Sequence, residues 1–488
     1  MFLSSILIWI SIFLLMLRLK WRRPRHFPPG PSPLPLLGNL LELNLQNPMK
    51  DLERLRKRYG NVFSIYLGSQ LAVVINGLAA SKEAMVTKST EFAGRPADSL
   101  LTHLAKNGVF AEDYGPVWKK RRRFALMSLK TFGMGKQSME QRIHGELQHT
   151  IETLESSIGK KVSPSQMFHT LAFNTLCLVL FGTRYNYDDS FIRVVTRGFH
   201  ENTKIASGGW GLLYDSLPVI RGLPLPFRRA FRNSEEHREL VGRIISDHEG
   251  TREPGQPRDL VDCYLDDLEK KNSPESSKST TETMAVLLDL LFAGSDTVSK
   301  TFLTGFLYLM NHPHIQERCQ REIDLVLEVG CHASYEDRHR MPYVQAVIHE
   351  IQRVANIIPL IVYRTTTTDT QLMGYSVPKG TLVIQSLDSV LKDEGAWKVP
   401  HQFEPENFLN DHGEFVKPEA FMPFSAGARV CLGEGLARLE LFLVFVTLLR
   451  RFKFIWPEED GAPDYTPVFG VSTSPKPYHM KVELRESK

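Results

Sequence analysis

Phe424-Ser425-Ala426-Gly427-Ala428-Arg429-Val430-Cys431-Leu432-Gly433 sets a single cysteine between glycines, directly before the apolar stretch Leu436 to Phe452 that reads as a helix. A cysteine at the amino end of a helix faces unpaired N–H groups and the positive end of the dipole, which favour the thiolate. Gly427 and Gly433 lack a Cβ, so a flat partner can approach the backbone closely there. A buried structural cysteine ahead of a helix is the plainer alternative for any lone Cys. The ordered surroundings, an aromatic residue, glycines and a cation about one sulfur, separate the two readings.

Position by position, the stretch resembles the haem-ligand loop of the cytochrome P-450 superfamily. The resemblance implies haem b (iron protoporphyrin IX) with Cys431 as axial thiolate, Arg429 paired with a haem propionate, Phe424 shielding the sulfur, and Gly427 and Gly433 beside the cofactor. A thiolate pushes electron density through iron and favours O–O cleavage. The fold implied is mainly α (α+β), a helical bundle around the haem with small β-sheets.

Composition agrees with a large folded body. The 488 residues are 42% hydrophobic, enough for a sizeable core, and no long stretch reads as disordered. Lys and Arg number 59 against 55 Asp and Glu, and a net charge of +4 gives no ground for a nucleic-acid partner. Cys177, Cys263, Cys319, Cys331 and Cys431 are odd in number and form no CxxC pair, which argues against a disulfide scaffold or zinc site and for a reducing compartment.

Met1 to Leu17 carry no charge and are followed by Lys20, Arg22, Arg23 and Arg25. Residues 1–20 are therefore expected to be a membrane anchor. A cleaved signal would need a basic lead and a small-residue cleavage site, which are missing. The basic run holds the body on the cytoplasmic side, and snorkelling Arg18 and Trp21 extend a span slightly shorter than usual. The prolines of Phe27-Pro28-Pro29-Gly30-Pro31-Ser32-Pro33 favour extended geometry, so residues 21–38 read as a basic, proline-rich hinge and 39–488 as the haem-binding monooxygenase domain. That body reads helical from Met49 onward. Strand-like runs lie at Val62–Tyr66, Leu71–Ile75, Ile357–Tyr363, Leu382–Gln385 and the carboxyl terminus.

From Thr283 to Met310 the chain is apolar almost all round, broken by Asp289, Ser295, Asp296 and Lys300. In lipid those breaks are costly, whereas a buried helix tolerates them if they find partners. A core helix is expected rather than a second membrane span. Its centre, Ala293-Gly294-Ser295-Asp296-Thr297, resembles the oxygen-activation motif of the same superfamily. Gly294 costs about 1 kcal/mol in a helix and is expected to leave room for dioxygen. Thr297 is the expected proton donor, with Asp296 connecting it to water. Val298 stands where many relatives carry a second hydroxyl.

Further matches follow the same pattern. Glu350 and Arg353 match the superfamily's buried Glu-x-x-Arg pair, which locks the ligand loop through a third, basic residue; Phe403-Glu404-Pro405-Glu406-Asn407-Phe408 has Asn407 there instead, so a hydrogen-bonded lock is expected. Trp118, Arg122 and Arg364 fall at propionate-binding positions. Lys119, Lys120 and Arg123 read as a solvated face or, by resemblance, as the docking face for NADPH-cytochrome P-450 reductase, with cytochrome b5 as a further candidate. By carry-over, Val109, Phe110, Phe292, Ala293, Ile358, Val362, Ser472 and Thr473 line the substrate pocket, and Leu212 to Phe227 touches the membrane or forms a buried connection.

The resemblance spans essentially the whole chain, with Phe92-Ala93-Gly94-Arg95-Pro96 and Tyr114-Gly115-Pro116-Val117-Trp118 placing it nearest the microsomal group that oxidises fatty acids, steroids and foreign compounds. It implies an endoplasmic-reticulum membrane protein that inserts one atom of O2 into a small apolar substrate with electrons from NADPH. A lipid-peroxide isomerase and a non-catalytic carrier of haem or apolar ligands are the alternatives; Asp296-Thr297 speaks against the isomerase.

Overall fold

The computed structural model describes residues 23–132, 137–270 and 276–485. The expected anchor over 1–20 lies outside the described residues, and among these no helix is long and apolar enough to cross a membrane. The longer helices are α1 (Met49–Tyr59), α2 (Pro116–Phe132), α3 (Gln137–Glu155), α4 (Ser165–Leu180), α5 (Ser190–Ser207), α6 (Phe227–Thr251), α7 (Ser276–Asn311), α8 (Pro313–Val326), α9 (Pro342–Ala355) and α10 (Glu434–Arg451). Strands β1 (Val62–Leu67), β2 (Gln70–Ile75), β3 (Arg364–Thr365), β4 (Thr370–Leu372), β5 (Tyr375–Val377), β6 (Leu382–Gln385), β7 (Phe452–Ile455) and β8 (Lys481–Leu484) complete the frame. One sheet runs β1-β2-β6-β3, with β2 and β6 parallel; β4-β5 and β7-β8 are antiparallel pairs.

Helix α7 spans 36 residues, about 54 Å at 1.5 Å per residue, and packs along α4, α6, α9 and α10. It ends where His312-Pro313 forbids continuation, and Pro313 opens α8 at a position needing no N–H. Its apolar character is consumed inside the protein. Phe302 and Phe306 join Phe168 of α4 and Phe445 of α10 in one aromatic cluster, Phe168 and Phe306 stacking at 4.9 Å. The polar breaks also find partners: Asp289 accepts from main-chain N–H groups, Ser295 donates to the Leu291 carbonyl, and Lys300 pairs with Asp296.

Two local expectations are corrected. Gly294 does not open room for dioxygen; a Cβ there would lie 2.6 Å from Leu176 Cδ1, so the missing side chain admits α4 instead. The stretch 357–363 is not a strand. Leu360 makes one bridge to Ser386 and ladder pairing starts only at Arg364, because Pro359 has no N–H to give and Ile357, Ile358, Ile361 and Val362 wall a cavity.

Candidate functional site

The cavity, of about 300 Å³, lies between the centre of α7, the segment 357–364 and the loop 423–432. Cys431, Phe424, Arg429, Trp118, Arg122, Arg364, Asp296 and Thr297 all reach it, as do Val109, Phe110, Phe292, Ala293, Ile358, Val362 and Ser472. Thr473 does not. It is buried behind the wall, its N–H on the Ile357 carbonyl at 2.8 Å and its hydroxyl on the Asn356 carbonyl at 3.1 Å.

The cysteine loop is fixed by its own main chain. Ser425 and Gly427 sit at φ 62° and 74°, and Cys431 N–H returns to the Phe424 carbonyl at 3.0 Å. Gly427 does not face the cavity: a Cβ there would strike the Met85 carbonyl and Ser89, so its bareness serves chain packing. Gly433 has open space beside it and its N–H, with that of Glu434, points to the Cys431 sulfur. Helix α10 begins at Glu434, beyond the cysteine. Protein encloses Cys431 except towards the cavity, and this burial raises the thiol pKa, outweighing those N–H groups and Arg122. A cation bound at the sulfur favours the thiolate expected from the sequence, since a coordinated thiol is deprotonated outright.

On one side of the cavity Arg95, Arg364 and Arg429 crowd together. Burial, reinforced by mutual repulsion, pushes each guanidinium down to about 9. Arg429 donates to the carbonyls of Ala93 and Glu112 at 2.8 and 2.7 Å and lies over the Trp118 ring; Arg122 donates to the Val430 carbonyl at 2.7 Å. Among the described residues the Arg364 guanidinium has one hydrogen-bond partner, Ser425 Oγ at 2.9 Å, and its Nε and Nη1, like the Trp118 indole N–H, are buried without an acceptor. Orphaned buried donors cost about 1–3 kcal/mol each, so cations and donors converging there fit a carboxylate-bearing ligand. Arg95 was not assigned a cofactor role from sequence; a cation inside Gly94-Arg95-Pro96, with Asp113 distant in sequence, was its only signal.

Asp289 was missed too. Half-buried, it accepts from Val109 and Phe110 N–H at 2.7 and 2.8 Å and so ties the cavity's loop wall to α7; desolvation pushes its carboxyl up to about 7. Two turns on, Thr297 Oγ1 donates to the Ala293 carbonyl at 2.7 Å. Asp296 is held from one side, Lys300 Nζ at 2.9 Å and Ser472 Oγ both donating to its Oδ2, while its side chain keeps 19% exposure.

The pair Glu350–Arg353 is wholly buried at 2.6 and 2.7 Å. Arg353 also donates to the carbonyls of Leu391, Pro400 and Gln402, while Glu350 accepts from Glu404 N–H and, as expected, from Asn407 Nδ2 at 3.2 Å. The lock thus fixes 391–407 rather than the cysteine loop directly. Lys119, Lys120 and Arg123 are exposed; Lys119 and Arg123 rim a shallow hollow floored by Trp118 and Ala428. Of the Leu212–Phe227 segment, Leu213, Leu217, Val219 and Leu223 are exposed, alongside Leu34, Leu36, Leu37 and Leu41 near the start of the described chain.

Residues 28–482 match the family described as Cytochrome P450. Cytochrome P450 2F2 of Mus musculus is 40% identical over 463 residues, 94% of each chain. Cytochrome P450 2D6 of Homo sapiens is 40% identical over 481 residues, 96% of this chain and 97% of its own. Cytochrome P450 2D9 of Mus musculus is 37% identical over 488 residues, 98% of this chain and 97% of its own.

Proposed function

This chain belongs to the cytochrome P450 family, whose members are haem-thiolate monooxygenases, and from that premise we propose that Cys431 is its axial ligand and that it oxidises small apolar molecules such as fatty acids, steroids or foreign compounds. One arrangement carries the reading: a lone sulfur open to a mostly apolar cavity whose polar side holds Arg364 and Trp118 donors with no acceptor. The haem, when bound, supplies dioxygen activation, and protein groups orient and protonate. Arg95, Arg122, Arg364, Arg429 and Trp118 hold its carboxylates, Phe424 covers the sulfur, and Gly433 N–H stabilises the charge there. Thr297 and Asp296 hold protons for the oxygen chemistry. Val109, Phe110, Phe292, Ala293, Ile358 and Val362 exclude water around the substrate.

Electrons come from NADPH through a reductase docked on Lys119, Lys120 and Arg123, a face that cytochrome b5 shares. Residues 1–20 anchor the chain in the endoplasmic-reticulum membrane with 21–38 as hinge and 39–488 on the cytoplasmic side. The exposed leucines at 34–41 and 213–223 rest on that bilayer, beside a smaller cavity that shares Arg95, Phe110, Ile361, Val362 and Val471 with the main one. Apolar substrates enter by that way.

The test is a reduced carbon monoxide spectrum followed by turnover of a fatty-acid, steroid and drug panel with reductase and NADPH. Reductase-dependent oxygenated product is expected; turnover of lipid peroxides alone would replace the reading with the isomerase. Arg364→Leu removes a charged donor worth about 1.5–3 kcal/mol and is expected to speed haem loss roughly 10- to 100-fold, measured by transfer to apomyoglobin. Thr297→Ala keeps haem and lowers product formed per NADPH consumed, by about 10²-fold if it is the sole proton donor.

A further inference from the structure

The charged group least expected in this cavity's surroundings is Lys300, on an otherwise apolar helix. An ammonium is strongly hydrated, and placing it beside a buried cavity needs compensation. Lys300 is half-buried; its Nζ donates to Asp296 Oδ2 at 2.9 Å and to Ser472 Oγ at 2.6 Å, while Ser472 Oγ donates to the same Asp296 oxygen. An exposed Asp–Lys pair one turn apart contributes only about 0.2–0.5 kcal/mol. This one closes a triangle between α7 and a turn more than 170 residues away in sequence, where Val468 and Ser474 pair through their main chains. Val471 and Ser472 of that turn wall the cavity. Thr297, next to Asp296, spends its hydroxyl on the Ala293 carbonyl. The aspartate and threonine of the proton-handling pair are thus not bonded to each other, and the aspartate is held towards the turn.

We propose that Lys300 is a positioning residue for the monooxygenase reaction: it holds the Asp296 side chain against Ser472, so that the turn 468–474, which substrate touches, sets where the carboxylate stands. The inference rests on the haem monooxygenase reading above. A substrate pressing on Val471 or Ser472 shifts the partner of Asp296 and turns the carboxylate towards Thr297 and water, so proton supply follows cavity occupancy. Other titratable groups face the same region from neighbouring helices. His169 of α4, whose ring nitrogen is 3.3 Å from Ser299 Oγ, is depressed mainly by burial and also feels Asp296, Lys300 and His200 of α5.

The test uses the full-chain holoenzyme with Lys300→Met, Lys300→Arg, Ser472→Ala and His169→Gln. Haem content and the reduced carbon monoxide spectrum are checked first: a variant that keeps both leaves the haem assignment intact, so the two readings fail separately. Losing the cation removes the charge-assisted hydrogen bond that holds the carboxylate to the turn, so in Lys300→Met product formed per NADPH is expected to fall about tenfold, the loss one such bond carries. Lys300→Arg restores the wild-type ratio, and His169→Gln does not change it. In the resting protein without substrate, amide exchange at 471–474 becomes faster in both Lys300→Met and Ser472→Ala. The proposal is overturned if Lys300→Met keeps the wild-type ratio of product to NADPH, or if His169→Gln reproduces the fall. Should Lys300→Met fail to fold, unchanged exchange at 471–474 in Ser472→Ala overturns it.

Discussion

Cys431→Ala is expected to abolish the thiolate-type spectrum of the reduced carbon monoxide complex and all reductase-dependent turnover. The loss is complete because among the described residues no other cysteine reaches the cavity: Cys177 and Cys319 are buried in the core, Cys263 is half-buried outside the cavity lining and Cys331 lies at the surface. Burial raises the thiol of Cys431, and a cation ligated by the sulfur favours its anion. Cys431→Ser separates ligation from folding. It keeps the Cys431 N–H bond to the Phe424 carbonyl and the volume of the side chain, so the body should still unfold cooperatively while the spectrum is lost. Haem retained with an unaltered spectrum in either variant would move the ligand elsewhere.

Glu350→Ala is expected to cost about 3–5 kcal/mol in denaturant unfolding of the purified protein, because the Arg353 charge is left buried without its counter-ion. That is a large part of the roughly 5–15 kcal/mol holding a domain together. The damage should concentrate at 391–407, whose Glu404 N–H loses its acceptor and whose Leu391, Pro400 and Gln402 carbonyls depend on an Arg353 no longer held in place. Asn407→Ala tests the third member. It removes a charge-assisted bond to the Glu350 carboxylate and neutral bonds to Val399 but leaves Arg353 with its counter-ion, so it should destabilise less than Glu350→Ala. Equal effects would mean that Asn407, not the ion pair, carries the lock.

Much of the frame is legible because its signals are local. Alternation and β-branching mark β1, β2 and β6, Pro313 stops α7, and the Glu350–Arg353 spacing places both groups on one helical turn. Where the sequence misleads, a distant segment is responsible. Gly294 promises space that Leu176 fills, Gly427 promises a flat ligand and receives the Met85 carbonyl, and Thr473 shares an apolar wall with Ser472 but faces the other way. Arg95 and Asp289 escape notice because an arginine beside glycine and an aspartate in a helix look ordinary until burial removes their water. Their shifted pKa values, about 9 and about 7, arise only from that enclosure.

By itself the sequence determined the cysteine loop, the long apolar helix with its Asp296-Thr297 centre, and the family, since these depend on residue order within a few turns of chain. Only the tertiary structure decided that Arg95, Arg364 and Arg429, from three separate segments, converge with unsatisfied donors, and that Asp296 is held by Lys300 and Ser472. The physical reason is that desolvation and repulsion between charges are properties of an enclosure. They have no value along an extended chain, where every one of these groups is solvated and far from the others.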